Sequence, residues 1–242
     1  MKYRIDFAYN GKNFYGYAKQ VGQPTVQETV ERALSIIFDE DITIRASGRT
    51  DKGVHAIGQV ATFVSEKEKD LGKLKKSLNS LLGDDIYILS IEIVPDDFDA
   101  RFSAKKKRYF YEIIIGDRNP FENDFAIFEK NINFDKIVEI CGVFVGKHCF
   151  KNFCSKEEDE DNFVREIYEI TPKIFNEREL KITFVGNGFM RYQIRKIVGT
   201  ILEYQKGKIT KEEILNYLNK EERDIISYTA EPQGLYLDKV FY

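Results

Sequence analysis

A single carboxylate between two glycines is the feature of this sequence with the clearest chemical potential. Residues 46–56 read Ala-Ser-Gly-Arg-Thr-Asp-Lys-Gly-Val-His-Ala, with Asp51 near the centre. Glycines let a backbone adopt positive φ or approach a ligand closely, and the neighbouring cations Arg49 and Lys52 favour an ionised carboxylate in a site that handles anions. The same residues are also compatible with a plain hairpin loop closed by an Asx turn. The residues alone leave both interpretations open.

Runs typical of strands flank this loop. Ile42–Ala46 alternates with β-branched residues, and Gln59–Phe63 resumes the strand pattern after a glycine. Asp51 is therefore predicted to lie in the connection between two strands, where a side chain can be presented to a substrate.

The pattern of elements predicts the order β-α-β-β-α-β in the first half of the chain. The capping box Thr25–Glu28 marks the start of its first helix. The predicted elements are a strand at 3–9, a helix to Phe38, strands near 42–46 and 59–64, a helix near 67–82 and a strand at 86–94.

The same order recurs in the second half. Its predicted elements are a strand near 108–115, a helix near 135–145, strands near 164–175 and 180–186, helices near 189–204 and 211–218, and a closing strand at 235–241. The repeat predicts an α+β fold of two ferredoxin-like (βαββαβ) halves, 1–104 and 105–242, with abutting antiparallel sheets and a central active-site cleft.

Composition is that of a compact enzyme. The chain has 242 residues, of which 43% are hydrophobic, which is enough to bury a core. We expect a soluble protein with no membrane association, because no apolar run is long enough to span a bilayer and no signal peptide is evident. Three cysteines, Cys141, Cys149 and Cys154, make no plausible disulfide framework and favour the reducing cytoplasm. His148 lies beside two of them, but a fourth ligand is missing, so no metal is expected.

Charge is nearly balanced but unevenly distributed. The chain carries 37 basic and 40 acidic residues, and five acids are concentrated at 157–161. The cluster Lys73–Lys76 is interpreted as a solvated helix face. Lys105, Lys106, Lys107 and Arg108 run directly into Tyr109, and basic residues next to aromatic rings favour RNA contact.

The predicted helix from Phe189 carries an apolar stripe and two arginines. Met190, Ile194, Ile197, Val198 and Ile201 recur at helical spacing and predict a buried face. Arg191 and Arg195 are four residues apart and are predicted to lie together on another face, where they could reach a carboxylate or a phosphate. Such arginines are also commonly just solvated.

The loop Gly48-Arg-Thr-Asp51-Lys-Gly-Val-His55-Ala resembles the catalytic loop of the TruA family of tRNA pseudouridine synthases. Motifs along nearly the whole chain are similar to that family and follow its order. They are Tyr9-Asn-Gly11 with Phe14-Tyr-Gly16-Tyr17 and Thr25-Val-Gln27-Glu28, then Asp96–Ala104 with Arg108-Tyr109-Phe-Tyr111, then Phe189–Gly199, and finally Gly234-Leu-Tyr236-Leu237.

The resemblance implies a role for several of the candidate site residues. Asp51 matches the catalytic aspartate, and Arg195 matches the arginine that pairs with it and would keep it ionised. Tyr109 matches the tyrosine that would stack on the extruded uracil. Because the base must leave its helix for this reaction, Arg49 is a candidate to fill the space left by a flipped base or to hold a phosphate. Arg191 is a candidate RNA contact without support from the resemblance.

The resemblance also implies the reaction. A uridine of tRNA, at positions 38 to 40 of the anticodon stem-loop, would be isomerised to pseudouridine by a cytoplasmic homodimer without a cofactor. The carboxylate could act as a nucleophile or as a base, and the sequence leaves that choice open.

Two alternatives are a paralogue that modifies another tRNA or ribosomal RNA uridine and a noncatalytic RNA-binding module. A carboxylate-based hydrolase or a metal-dependent nuclease would need a second acid or a ligand cluster that no motif supplies.

Overall fold

The computed structural model describes residues 1–156 and 162–242, so the acidic run at 157–161 lies outside the described residues. The chain forms two compact units. The first consists of Met1–Lys105 and Tyr236–Tyr242, and the second of Lys106–Leu235. Strands and helices occur in both, which confirms the predicted α+β class. The last seven residues, Tyr236–Tyr242, belong to the first unit, whereas the sequence predicts that they are part of the second half.

The first unit has the predicted order β-α-β-β-α-β. Its elements are β1 (Lys2–Tyr9), α1 (Val26–Phe38), β2 (Arg45–Ala46), β3 (His55–Val64), α2 (Leu71–Leu81) and β4 (Ile86–Val94). β1 lies between β4 and β3 and is antiparallel to both. Alternate side chains of β1 are buried, as expected for a strand with one face on the core.

Two further strands share the outer edge of β3. The closing strand of the chain, which spans Leu235–Phe241, pairs in parallel with the start of β3 through Tyr236 and His55. β2 pairs antiparallel with the end of β3, where Arg45 is opposite Thr62. Gly58 allows the closing strand to approach, because a Cβ there would lie 2.2 Å from the carbonyl oxygen of Asp238.

The helices of this unit cover one face of its sheet. Thr25 caps α1 as predicted, since its side chain accepts a hydrogen bond from the Glu28 amide. Phe38 at the end of α1 meets the ring of Tyr3 edge to face at 5.6 Å, and Tyr3 stacks on Phe63 at 4.9 Å. These contacts fix the sheet from which the Asp51 loop projects.

The described part of the second unit contains five strands and three α-helices. They are β5 (Lys106–Ile115), β6 (Ile127–Glu129), α3 (Phe134–Cys141), β7 (Gly146–Cys149), β8 (Val164–Phe175), β9 (Glu179–Gly186), α4 (Gln193–Gln205) and α5 (Lys211–Asn219), so the closing strand above is β10. The sheet runs β5-β9-β8-β7, and β6 pairs with β5 in parallel. The short strands β6 and β7 were not predicted.

A tight turn joins β8 to β9. Asn176 and Glu177 have positive φ values of 50° and 56°, and the Arg178 amide donates to the Phe175 carbonyl. This left-handed two-residue turn matches the twist of the paired strands. In the described ranges 1–156 and 162–242, no helix combines the length and apolar character needed to cross a membrane.

Candidate active site

Asp51 lies in the connection between β2 and β3, as the sequence predicted. The Val54 amide donates to the Asp51 carbonyl at 3.1 Å, which closes a turn. Gly53 sits in that turn at φ 78°, a conformation that other residues rarely adopt. The Asp51 side chain is half-buried, whereas Arg49 and Lys52 on either side are exposed. The turn therefore presents one carboxylate between two accessible cations.

The fully buried side chain of Gln59 holds the first part of this loop. Its Oε1 accepts hydrogen bonds from Ser47 Oγ at 2.9 Å and from the Val60 amide at 3.1 Å. Its Nε2 donates to the Gly48 carbonyl at 3.0 Å and to the Tyr9 hydroxyl at 3.4 Å. One side chain on the rigid strand β3 thus fixes the backbone three residues before Asp51. Sequence analysis had not singled out Gln59.

Tyr9 and Tyr17 hold the residue directly before Asp51. The Tyr9 hydroxyl is 2.8 Å from Thr50 Oγ1, and the Tyr17 amide donates to the Thr50 carbonyl at 3.0 Å. Burial raises the pKa of Tyr9 to about 12, although its hydrogen bonds with Thr50 and Gln59 oppose that shift. Tyr9 is therefore neutral at physiological pH and keeps its hydrogen-bonding proton.

Two glycines after β1 let the chain pass against the loop. A Cβ at Gly11 would lie 2.1 Å from the Val54 carbonyl oxygen, and one at Gly16 would lie 3.0 Å from that of Thr50. The Gly11 amide donates to Nδ1 of buried His55, whose ring stacks on Tyr236 at 4.7 Å. Since Nδ1 accepts, the neutral ring carries its proton on Nε2.

The second unit contains Tyr109 and three of the four residues of the basic run before it. Tyr109 is buried near the start of β5 and meets the ring of Phe189 edge to face at 5.3 Å. Lys106, Lys107 and Arg108 precede it on the same strand, with Lys106 exposed and the other two half-buried. Lys105 is exposed and belongs to the first unit.

Arg195 lies in the first turn of α4 and is tied to the segment before β10. Its Nε donates to the Ala230 carbonyl at 2.8 Å, and the Ala230 amide donates back to the Arg195 carbonyl at 2.9 Å. Gly199 makes room for this segment, because a Cβ there would lie 2.8 Å from the Thr229 amide nitrogen. The guanidinium also lies 4.7 Å from the Tyr192 ring centroid.

Lys196 anchors the same segment from inside. The residue is only 6% exposed. Its ammonium donates hydrogen bonds to the Ile226 carbonyl at 2.6 Å and to Thr229 Oγ1 at 3.2 Å. Burial lowers the pKa of Lys196. Lys196 follows Arg195 directly in the sequence, and its buried position shows that it joins segment 226–230 to α4. These hydrogen bonds hold the segment that contains Ala230, whose carbonyl accepts a hydrogen bond from Arg195.

The prediction that Arg191 and Arg195 share one helical face is wrong. α4 begins at Gln193, and Tyr192 before it has a left-handed backbone with φ 65°. Arg191 therefore precedes the helix. Its guanidinium lies 5.2 Å from the Tyr192 ring centroid, so both arginines contact that ring although they do not share a helix.

The histidine and cysteines that raised a zinc question do not converge. Within the described ranges, no group of three or more His, Cys, Asp or Glu side chains is placed to hold a metal ion. None of Cys141, Cys149 and Cys154 forms a disulfide bond. Cys154 is buried and donates to the Lys151 carbonyl at 3.3 Å, while His148 Nε2 lies 3.0 Å from the Val145 carbonyl oxygen.

Comparison with known proteins decides the family. Residues 7–103 and 140–242 match the family described as tRNA pseudouridine synthase. The chain belongs to this family. It is 41% identical over 245 residues to tRNA pseudouridine synthase A of Dictyoglomus turgidum, covering 99% of both chains. The Anoxybacillus flavithermus protein of that name is 39% identical over 99% of this chain and 98% of its own. The Listeria monocytogenes protein is also 39% identical, over 100% and 99%.

Family membership makes the chain an isomerase that acts on tRNA, which excludes the noncatalytic RNA-binding module. The ranges that match the tRNA pseudouridine synthase family contain Asp51 and Arg195. Tyr109 and the run Lys105–Arg108 lie between them, within 104–139. The roles of these two features therefore rest on the motif resemblance and on their own surroundings.

Proposed function

We propose that this tRNA pseudouridine synthase modifies uridines at positions 38 to 40 of the tRNA anticodon stem-loop, with Asp51 as its catalytic carboxylate. The observation that carries the catalytic assignment is the hydrogen-bonded support of the Asp51 loop by Gln59 and Tyr9. A loop that served only to connect two strands would not need two buried polar side chains from different strands. A catalytic group held in a fixed position does need such support.

The reaction detaches uracil from the ribose at N1, rotates it and reattaches it through C5, after which C5 loses its proton and N1 gains one. Asp51 would begin this sequence by attacking C1′ of the ribose or C6 of the base, or by removing the C2′ proton to give a glycal. All three routes require an anionic oxygen. The reaction is an isomerisation, so no electrons or atoms are gained and no cofactor is required.

Arg195 would keep Asp51 ionised and oriented. Because its Nε donates to the Ala230 carbonyl, its terminal nitrogens are the groups proposed to meet the carboxylate. An opposite charge at that range lowers the pKa of an aspartate. Tyr109 would stack on the extruded uracil, and its contact with Phe189 holds the plane of its ring.

Basic residues would hold the RNA backbone. Arg49, Lys105 and Lys106 are exposed, which supports their assignment as phosphate contacts, and Arg108 and Arg191 are assigned with them. Lys107 completes the run. A cytoplasmic homodimer would join such patches from two chains into one longer surface.

The experiment is to incubate the protein with unmodified tRNA transcripts and to map pseudouridine by carbodiimide-blocked primer extension. New stops at positions 38 to 40 are expected, with none for an Asp51→Asn control. Stops elsewhere would identify a paralogue with another target, and an absence of stops would refute the proposal. Full activity in EDTA, with the tRNA fold verified, is expected for a reaction without a metal.

A further inference from the structure

The ring of Phe102 is held on the surface by a structured turn. It is 72% exposed in the segment that follows β4. Asp99 Oδ1 accepts hydrogen bonds from the amides of Arg101 at 2.8 Å and Phe102 at 2.9 Å, and the Asp99 amide donates to Ser103 Oγ at 3.0 Å. The backbone that carries the ring is therefore ordered before anything binds to it.

The turn is also anchored to the first unit. Ala100 is fully buried, and its carbonyl accepts a hydrogen bond from the Tyr242 hydroxyl at 2.8 Å. Tyr242 in turn packs against Phe98 at 4.8 Å and beneath the guanidinium of Arg4 at 4.8 Å. Ala100 is thus packed inward, whereas the ring of Phe102 is exposed to solvent.

Two arginines lie over this ring. The guanidinium carbons of Arg45 and Arg101 are 4.9 Å and 5.5 Å from its centroid. Arg45 is fixed by an ion pair with Asp99 Oδ2 at 3.1 Å, yet its side chain remains 57% exposed. Burial opposes ionisation of Asp99, but the two amide hydrogen bonds and the charges of Arg45 and Lys2 lower its pKa overall. The ion pair therefore persists at neutral pH.

An exposed aromatic ring flanked by guanidinium groups is suited to an unpaired nucleotide. Bases stack on aromatic rings and on guanidinium planes, and the positive charge attracts the phosphate next to the base. A protein partner would instead favour a larger apolar patch with few charges at its centre. Arg45 also opens β2, which leads directly into the loop of Asp51.

We propose that Phe102, Arg45 and Arg101 form a stacking platform for an unpaired nucleotide of the tRNA substrate. The ring of Phe102 stacks on the base, Arg101 binds the adjacent phosphate, and Arg45 holds the ring in position. The platform deepens the proposed function and rests on it, because its ligand belongs to the RNA that the Asp51 site modifies.

The chain contains no tryptophan, so Phe102→Trp creates a unique fluorescent reporter that keeps a stacking ring. Titration with an unmodified tRNA transcript is expected to quench this fluorescence in a saturable manner, while affinity stays near that of the wild type. The matched control is Phe121→Trp, which places the reporter at a position that is 90% exposed in the other unit. Equal responses of the two variants to tRNA would overturn the platform.

Loss of the ring should weaken binding. Stacking contributes about 1–3 kcal/mol per base, so Phe102→Ala should raise the Kd for tRNA by about 5- to 150-fold with little change in thermal stability. Phe121→Ala should leave the Kd unchanged. Arg101→Gln should reduce the slope of log Kd against log salt by about 0.7–0.9, the effect of one phosphate contact.

An unchanged Kd for Phe102→Ala would refute the platform, and an unchanged salt slope for Arg101→Gln would refute the phosphate assignment. Sedimentation of the free variants provides another test. If Phe102→Ala shifts the oligomeric state and leaves RNA affinity intact, the ring packs against a second copy and the proposal is wrong. Failure of the proposed function is distinguishable from failure of the platform. The proposed function fails if the wild-type protein forms no pseudouridine, whereas the platform fails if Phe102→Ala leaves the Kd for tRNA unchanged.

Discussion

Replacement of Gln59 by methionine tests whether Gln59 holds the Asp51 loop in place, because it leaves the Asp51 side chain itself unchanged. Methionine has a similar length and fills the same buried space, but it donates and accepts no comparable hydrogen bond. The change removes the contacts with Ser47 Oγ at 2.9 Å and the Gly48 carbonyl at 3.0 Å. It also removes those with the Val60 amide and the Tyr9 hydroxyl.

The expected loss of stability follows from these contacts. A buried polar group that loses its partner costs about 1–3 kcal/mol. Loss of the two hydrogen bonds to the loop should therefore lower the free energy of unfolding by about 2–6 kcal/mol. Local relaxation and the retained side-chain volume favour a loss near the lower end, about 3 kcal/mol. For a chain of this size, that corresponds to a fall in Tm of roughly 6–12 °C.

The expected effect on catalysis is separate. A displacement of about 1 Å in a catalytic group costs on the order of 100-fold, so kcat should fall by about that factor. KM should change little, since RNA affinity depends mainly on phosphate contacts. Urea unfolding gives the stability, and single-turnover pseudouridine formation at a temperature where the variant is folded gives the rate.

Leu78→Ala is the control of matched stability loss. Leu78 is fully buried on α2, and its truncation should cost about 2–5 kcal/mol while leaving the folded enzyme active. If Gln59→Met retained the wild-type kcat while folded, or if Leu78→Ala lost kcat equally, positioning of Asp51 by Gln59 would be refuted.

Three further predictions concern the proposed catalytic pair Asp51 and Arg195, the basic run and alkaline pH. Asp51→Asn should reduce turnover by several orders of magnitude while tRNA affinity stays unchanged, and Arg195→Met should do the same. The double variant should have a turnover no lower than that of either single variant. Rate assays measure the turnover, and filter binding measures the affinity. Lys105→Glu, Lys106→Glu and Lys107→Glu together should weaken tRNA binding and flatten its salt dependence, and an unchanged slope would mark a solvated surface. The raised pKa of Tyr9, near 12, means that its contribution to stability is complete below pH 10 and lost as pH rises through 12. That loss amounts to about 3 kcal/mol. Urea unfolding across this range should show a shallower decline for Tyr9→Phe, and identical declines would contradict the prediction.

The position of Asp51 between two strands could be predicted because its signals are local. Two glycines around Asp51, and strand patterns on either side, are visible within about twenty residues. The strands β1 and β4 were predicted well for the same reason, since their hydrophobic patterns are long and regular. β6 and β7 span only three and four residues, too few for a pattern to emerge.

The supporting residues were harder to find because their function depends on distant partners. Gln59 contacts residues that lie up to 50 positions away in the chain, and Lys196 contacts residues 30 and 33 positions away. A weaker signal did exist. Both are polar residues within apolar stretches, and a buried polar side chain needs partners with which to form hydrogen bonds.

Tyr192 shows why periodicity alone misplaced Arg191. A left-handed backbone at a residue with a side chain costs about 1–2 kcal/mol, and hydropathy gives no sign of it. Here the turn is held by the buried side chain of Gln193, whose Oε1 accepts from the Met190 amide at 2.9 Å, and by the guanidinium groups of Arg191 and Arg195 over the tyrosine ring. A continuous helix from Phe189 would remove this arrangement. The helix therefore begins at Gln193, and Arg195 lies in its first turn, where its Nε is held by the Ala230 carbonyl.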